Sequence, residues 1–266
     1  MSVANLNDLV FEKIFGIRQY NSSDYSLMWM ANQLEDATLD VTSEEQVVND
    51  ALGSPIAKFF RGRSATLSAT NALFNLPVAA AQSGNSAGLV RGTAEAKIKV
   101  PMSETIITSG TTITLAEKPV GTPGAEIPFI YAMDGTGYWT RKYTLGSMAS
   151  ENEFTLDAAS KTITLPTGTP NGTRIMVDYT GEKQDALQFS ATGNDSPRAG
   201  IVHLWVKCHN VCDVSSIVYG VLVCKNAQLS GNYQLNFTPE GKHAIELQLM
   251  QDYCDPDKHL YDFFVY

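Results

Sequence analysis

The sequence predicts a mainly β protein built from antiparallel strands. The chain of 266 residues contains 20 Gly and 11 Pro, is rich in Thr, Ser, Val and Ile, and has few long stretches of helix-forming residues. Polar and apolar residues alternate on both sides of a turn between Asp36 and Thr70, and short alternating segments recur at regular spacing from Ala94 to Gly181. A period of two residues is typical of strands that have one wet face and one buried face.

The stretch from Asp36 to Thr70 predicts a long two-stranded ribbon with one polar and one apolar face. Turn-forming residues lie between its arms, from Asn49 to Pro55. The polar positions are Asp36, Thr38, Asp40, Thr42, Glu44 and Gln46 on the first arm and Ser64, Thr66, Ser68 and Thr70 on the second. An isolated ribbon buries too little apolar surface to offset its loss of conformational entropy, so this one needs a partner.

The segments around the ribbon predict an arm, a strand and one helix. Residues 1–25 are interpreted as an arm with a possible short helix around Asn7 to Ile14, and Tyr25 to Leu34 as a strand that leads into the ribbon. Asn71 to Gln82 is the best helix pattern, with its regular turns beginning near Asn75 and Gly84 at its end. The segment from 84 to 93 is interpreted as a flexible link.

The rest of the chain predicts two further β-rich blocks. Eight short strand patterns between Ala94 and Gly181 favour a β-sandwich-like inserted unit. Longer strand patterns follow from Asp185 onward, including a hairpin from Tyr233 to Asp252 around Pro239 and Gly241. The expected division is therefore 1–93 and 183–266 for one domain and 94–182 for an inserted β domain.

Charge and cysteine content restrict the function and the compartment. The 28 acidic and 19 basic residues give a net charge of −9, which argues against a surface that holds phosphate through clustered cations. The amino terminus lacks the pattern of a signal peptide, and no apolar run is long enough to span a bilayer. Four Cys residues are too few for a disulfide scaffold of this length. We expect a soluble protein made in a cytoplasm.

Three sequence patterns could carry chemistry, and each has a plainer interpretation. The G-x-S-x-G spacing from Gly84 to Gly88 follows a helix, not a strand, so a serine hydrolase is rejected. Cys208, His209 and Cys212, with His203 nearby, lack the second ligand pair of a zinc site and favour buried thiols at a strand end.

The third pattern is acidic. Asp252, Asp255 and Asp257 lack the further ligands and the Gly of a calcium loop, so a solvated turn is the better interpretation. We therefore expect no catalytic residues, no metal and no cofactor.

The order of these segments resembles the major tail proteins, or tail tube proteins, of long-tailed bacteriophages. The resemblance lies in SLMWMANQLEDATLDVTSEE, the turn DALGSP, FFRGRSATLSAT, the helix NALFNLPVAAAQSG and the closing strand-rich segments. It covers residues 20–90 and 183–266 and rests on strand pattern, whereas the middle unit departs from a minimal tube subunit. It implies two packed antiparallel sheets with a long hairpin and one flanking helix.

The resemblance also implies an assembly. Six subunits of this family form a ring, rings stack into a hollow tail tube, and DNA passes through the lumen without specific binding. The partners are then other copies of the chain, other tail proteins and viral DNA, and the location is the virion tail after synthesis in the bacterial cytoplasm. The expected lumen-lining residues are Asp36, Thr38, Asp40, Thr42, Glu44, Ser64, Thr66 and Ser68. The expected contacts between rings or subunits are Val47, Val48, Asn49, Asp50, Leu52, Arg61 and Arg63, with both Arg residues assigned to the apolar face.

A second hypothesis is a binding module, either a head-decoration protein or an adhesin-like β protein. In that case Tyr138, Trp139 and Tyr143 of the middle unit would face a carbohydrate. The competing interpretation, which we favour, is that these three aromatic side chains fill the core of the unit, because aromatic residues dominate β cores.

Overall fold

The protein is mainly β, in agreement with the sequence prediction. A computed structural model describes residues 8–85, 88–211, 213–239, 241–252 and 255–266, with only the backbone described for 213–216. Up to the helix, the elements are β1 (Leu9–Tyr20), β2 (Leu27–Ala31), β3 (Leu34–Asn49), β4 (Pro55–Asn71) and α1 (Leu76–Gln82).

Short strands follow in the middle of the chain and longer ones near its end. The middle strands are β5 (Val90–Arg91), β6 (Ile98–Ile107), β7 (Thr112–Thr114), β8 (Phe129–Met133), β9 (Trp139–Leu145), β10 (Glu153–Asp157), β11 (Thr162–Thr164), β12 (Arg174–Lys183) and β13 (Leu187–Gln188). The last strands are β14 (Ala199–Asn210), β15 (Asp213–Leu229), β16 (His243–Leu249) and β17 (Asp262–Val265).

The chain separates into two compact units. The first comprises Met1–Leu89 and Phe189–Tyr266, and the second, Val90–Gln188, is inserted between these two segments in the sequence. The strands of the first unit form one eight-stranded antiparallel sheet in the order β2-β1-β14-β15-β16-β4-β3, with β17 also paired to β15. The resemblance implies two packed antiparallel sheets in this unit. Here the strands are joined into one hydrogen-bonded sheet through β15, which pairs with β14, β16 and β17.

The core of the first unit lies on one face of this sheet. Alternation in β14 places Val202, Leu204 and Val206 on the buried face, and β16 contributes Ile245 and Leu247. These apolar side chains leave water together, which is the main driving force for folding the unit.

Helix α1 is held by caps at both ends. The side chain of Asn75 accepts a hydrogen bond from the Val78 N–H at 3.0 Å, and Pro77 lies in the first turn. Gly84 follows the helix with a φ of +74°, and its N–H donates to the Ala81 carbonyl at 3.1 Å. The predicted start near Asn75 and end at Gly84 are confirmed.

Two local predictions are wrong. The helix expected around Asn7 to Ile14 is strand β1 from Leu9 onward, because ten of its residues pair with β14, and Asn7 itself lies outside the described residues. The hairpin expected from Tyr233 to Asp252 has only one arm, β16, which pairs with β4 and the end of β15 instead. Long-range pairing outweighs the local pattern in both segments.

The segment expected as a flexible link is partly structured. Val90 and Arg91 form β5, which pairs with Leu187 and Gln188 of β13. The strand predicted within Tyr25 to Leu34 is confirmed as β2.

The inserted unit has a seven-stranded sheet of its own. The strand order is β6-β12-β8-β9-β10-β11-β7, antiparallel except for the short parallel pairing of β9 with β10. One face buries a separate cluster that includes Ile130, Phe154 and Ile175. The unit therefore has its own hydrophobic core.

Candidate functional site

The ribbon formed by β3 and β4 is the longest strand pair in the described part of the chain. Asp36 pairs with Thr70, Asp40 with Thr66 and Thr42 with Ser64, so these side chains share one face. The Thr42 and Ser64 hydroxyl oxygens are 2.7 Å apart. The predicted ribbon and its polar face are therefore confirmed from Asp36 to Thr42 on the first arm and from Ser64 to Thr70 on the second.

The opposite face anchors the base of the ribbon to the core. Ala65, Leu67 and Ala69 are buried, and Ala37 and Leu39 of the paired arm pack against the same cluster. The polar face therefore points away from the core of its own unit.

Strand β16 widens the polar face by two residues that sequence reasoning missed. Glu246 lies opposite Ser68, and Gln248 lies opposite Thr66, whose hydroxyl donates to the Gln248 side-chain carbonyl at 3.4 Å. The alternation of HAIELQL is a signal for a half-buried strand, but its neighbour was not predictable because β16 follows β4 by some 170 residues.

A bulge at Gly62 changes which face of the ribbon the neighbouring β4 side chains occupy. Ser43 pairs with Arg63, but the next residue, Glu44, pairs with Arg61. Gly62 is the extra residue and has a φ of +58°, a conformation that glycine adopts without steric cost. The assignment of both Arg residues to the apolar face is therefore wrong for Arg61, which shares the polar face with Glu44.

Beyond the bulge the ribbon exposes apolar side chains on both faces. Phe60 is 66% exposed and lies on the face of Glu45 and Lys58, which form an ion pair at 2.6 Å. Phe59 pairs with Gln46 and lies on the other face. The exposed apolar residues of this segment, which we call the distal ribbon (43–62), are Val47, Val48, Leu52, Ile56, Phe59 and Phe60. Apolar residues on both faces of a two-stranded ribbon have no core of their own.

The turn at the tip is well defined. The Asp50 carboxylate accepts hydrogen bonds from the backbone N–H groups of Leu52 and Ser54, each at 2.8 Å. Leu52 is 91% exposed at the tip. The turn thus presents an apolar side chain on a rigid hydrogen-bonded support.

Strand β3 also has an unpaired edge. It is the last strand in its sheet, and within the described residues it is hydrogen-bonded as a strand to β4 alone. An open edge of 16 residues is a template for pairing with another chain.

The described residues of the rejected zinc pattern lie on both faces of β14. Cys208 is a buried free thiol, as the preferred interpretation predicted; Cys224, which is not part of that pattern, is also a buried free thiol, and burial raises the pKa of both. His209 is on the other face of β14 and bonds to Glu12, while Cys212 lies outside the described residues. The serine of the G-x-S-x-G spacing, Ser86, also lies outside them.

The acidic turn near the carboxyl end is an ion-pair cluster. Asp255 contacts the Lys225 ammonium at 2.9 Å and His259 at 2.8 Å, and the hydrogen bond from His259 is the largest of the effects that lower the Asp255 pKa. Asp257 lies close enough for the three groups to surround an ion, but the Asp255 carboxylate already contacts the Lys225 ammonium and the His259 ring. The cluster is therefore explained without a metal.

The aromatic residues of the inserted unit divide between core and surface. Tyr143 belongs to the buried cluster, but Tyr138 is 75% exposed and Trp139 is 62% exposed. The expectation that all three fill the core is therefore wrong for Tyr138 and Trp139.

The fold and the ribbon define the class as a mainly β protein with a long, exposed two-stranded ribbon. The model of the YomU/Tube protein family matches residues 10–256, which is most of the chain. The chain therefore belongs to the YomU/Tube protein family. A comparison with curated proteins finds no match. No helix in the described residues has the length and apolar character needed to cross a membrane.

Proposed function

We propose that the chain polymerises as stacked rings, hexameric as in tail tubes, to form the tail tube of a bacteriophage. The observation that carries this proposal is the distal ribbon, which exposes Phe59 and Phe60 on opposite faces. Within the described residues the Lys58 ammonium reaches over the Phe60 ring, at 5.3 Å from its centroid, yet Phe59 stays 56% exposed and Phe60 66% exposed. In a self-assembling tube every subunit has neighbouring copies of the same chain, so a second copy is the partner that buries these two side chains.

The unpaired edge of β3 supports lateral closure of the ring. Its backbone N–H and C=O groups form hydrogen bonds with a strand of the neighbouring subunit, and repetition around the ring removes every open edge. The inner sheets of the subunits then form one continuous barrel.

The polar face of the ribbon lines the channel in this assembly. Asp36, Asp40, Glu44 and Glu246 provide four carboxylates there, against the single guanidinium of Arg61 on the paired strand. Between them lie hydroxyl and amide groups. DNA is a dense polyanion, so a wall with this balance of charge repels it and lets it slide.

The tip of the ribbon makes the contact between stacked rings. Leu52 extends from the turn that Asp50 supports, and Val47 and Val48 lie just behind it. Arg63, which remains on the face of Ser43, contributes to contacts between subunits.

The assembled protein belongs to the virion tail, where its partners are further copies of itself, other tail proteins and the DNA in transit. It is made in the cytoplasm of the bacterial host.

Negative-stain electron microscopy and light scattering of the purified protein test the proposal. We expect stacked rings or hollow tubes from the natural sequence. The double variant Phe59→Ser with Phe60→Ser should remain folded but lose tubes, since both substitutions remove exposed apolar surface that only a partner buries.

Phe237→Ser is the matched control, because Phe237 is exposed in the same unit but outside the ribbon. It should leave tubes unchanged. Tubes that persist in the double variant, or a natural protein that stays monomeric even with a tail initiator added, would overturn the proposal.

A further inference from the structure

The inserted unit has an outer sheet face, opposite its core, that the tube proposal does not use. Four neighbouring strands, β6, β12, β8 and β9, build this face. The pairing register places Ile107, Arg174, Met133 and Trp139 in one row across the strands and Thr105, Met176, Tyr131 and Lys142 in the next. The face therefore carries aromatic rings, aliphatic side chains and charged groups together.

The rings of this face are close together. The Tyr131 and Trp139 ring centroids are 6.1 Å apart in an edge-on arrangement. Phe129 precedes Tyr131 by two residues on β8. Side chains two residues apart in a strand are separated by about 6.7 Å on the same face. The three rings thus form a short line, which we call the aromatic row (Phe129, Tyr131, Trp139).

A cation is held within the aromatic row. The Lys142 ammonium lies 3.4 Å from the centroid of the Phe129 ring, and Lys142 is also the direct cross-strand neighbour of Tyr131. Arg174 on β12 lies opposite Met133, and Met133 separates it from Trp139 on β9. One positive group therefore contacts the row, and a second lies on the same face of the sheet.

The mixture of groups argues against a dry protein interface. The centre of a protein interface is depleted of Lys, whereas the Lys142 ammonium lies over the Phe129 ring of the row. It also argues against single-stranded nucleic acid, which needs a groove of many cations, because the inserted unit has eleven acidic and nine basic residues.

We propose that the aromatic row binds an acidic polysaccharide. Sugar rings have an apolar C–H face that stacks on Tyr and Trp, and hydroxyl groups that bond to polar neighbours. Lys142 and Arg174 would pair with the carboxylates of uronic acid units, and a guanidinium can do so through two parallel hydrogen bonds. This binding is independent of tube assembly and would let the inserted unit adhere to a cell-surface polymer.

The test is affinity electrophoresis of the full-length protein in native gels that contain polygalacturonate, with dextran as the neutral polymer and oligo(dT) as a separate probe. We expect retardation by polygalacturonate alone. Trp139→Ala and Lys142→Ala should each raise the dissociation constant at least tenfold.

Tyr138→Ala is the matched control, since Tyr138 is an exposed aromatic residue in the adjoining turn, outside the aromatic row. It should bind as the natural protein does. Retardation by dextran as strong as by polygalacturonate, binding to oligo(dT) alone, equal loss in Tyr138→Ala and Trp139→Ala, or no retardation in any gel would overturn the proposal. Electron microscopy of Trp139→Ala should still reveal tubes. A negative result for polysaccharide binding can therefore be distinguished from a negative result for tube assembly.

Discussion

Glu44 lies opposite Arg61 across the ribbon, although strict alternation on both arms would place Arg61 on the other face. The extra residue, Gly62, moves the β4 side chains from Arg61 to Ala57 to the face opposite the one that strict alternation gives them, and a second register shift follows before the turn. One glycine therefore determines which groups of the distal ribbon face the channel in the proposed tube and which face the neighbouring subunit.

Gly62→Ala should weaken both the fold and the assembly. Alanine in this left-handed conformation costs about 1 kcal/mol, because its Cβ approaches the following carbonyl oxygen. Apart from the residues adjacent in the chain, nothing described lies within 4 Å of the position of that Cβ, so the cost is conformational and not a clash with a packed neighbour. Urea unfolding and tube yield by electron microscopy measure the two effects. Gly62→Asn, which tolerates the conformation better, should lie closer to the natural protein; equal behaviour of the two variants would contradict this account.

Reversing charge on the polar face should impair DNA passage. Asp40→Lys combined with Glu44→Lys leaves tube formation possible, because both side chains are exposed, but gives the wall cations that hold phosphate. We expect DNA delivery by assembled particles to fall at least tenfold. The control is Glu95→Lys with Glu151→Lys, which makes the same change of charge at exposed positions of the inserted unit. Unchanged delivery in the first variant would count against a channel lined by these residues.

Leu52→Asp should prevent rings from stacking. The side chain is 91% exposed, so the substitution costs the folded monomer little, but it places a charge in the proposed contact between rings. Electron microscopy should reveal rings or monomers instead of tubes, as should deletion of residues 47–54. Leu73→Asp, at an exposed position outside the ribbon, should still form tubes. Long tubes from the Leu52 variant would rule out the tip as the stacking contact.

Stability should fall on acidification because of His243. This residue is fully buried, its Nε2 bonds the Gln82 side-chain carbonyl at 2.7 Å, and its Nδ1 accepts the Asn75 N–H at 3.2 Å. Burial lowers the His243 pKa, so the neutral ring is favoured in the folded protein. The unfolded chain binds a proton below about pH 6.5, and stability should therefore fall from that pH downward by up to about 1.4 kcal/mol per pH unit.

Urea unfolding across pH 7.5 to 5 measures this dependence. His243→Gln should flatten the slope even if its stability at pH 7.5 is lower. His259 provides the opposite sign, because the hydrogen bond to Asp255 raises the His259 pKa, so its contribution is present at low pH and is lost as the pH rises. His259→Gln should make the fall on acidification steeper. A slope that His243→Gln leaves unchanged would exclude His243 as its source.

The predicted features that the structure confirms are those encoded by neighbouring residues. The two ribbon arms are joined by one short turn, so alternation and turn chemistry suffice to place Thr42 opposite Ser64. Asn75 and Pro77 mark the helix start for the same reason, since caps act within one turn. The predictions that are wrong concern strands whose partners are far away in the sequence. β1 pairs with β14, and β16 pairs with β4, through contacts that no local pattern encodes.

The sequence by itself therefore determined the mainly β class, the ribbon, its polar face near the base and helix α1, because each depends on periodicity or on capping within a few residues. Only the tertiary structure decided that Glu246 and Gln248 extend the polar face, that Arg61 crosses to it, and that Trp139 remains exposed while Tyr143 is buried. The physical reason is that the face of a strand residue depends on its partner strand and on bulges, and both are set by packing between segments far apart in the chain.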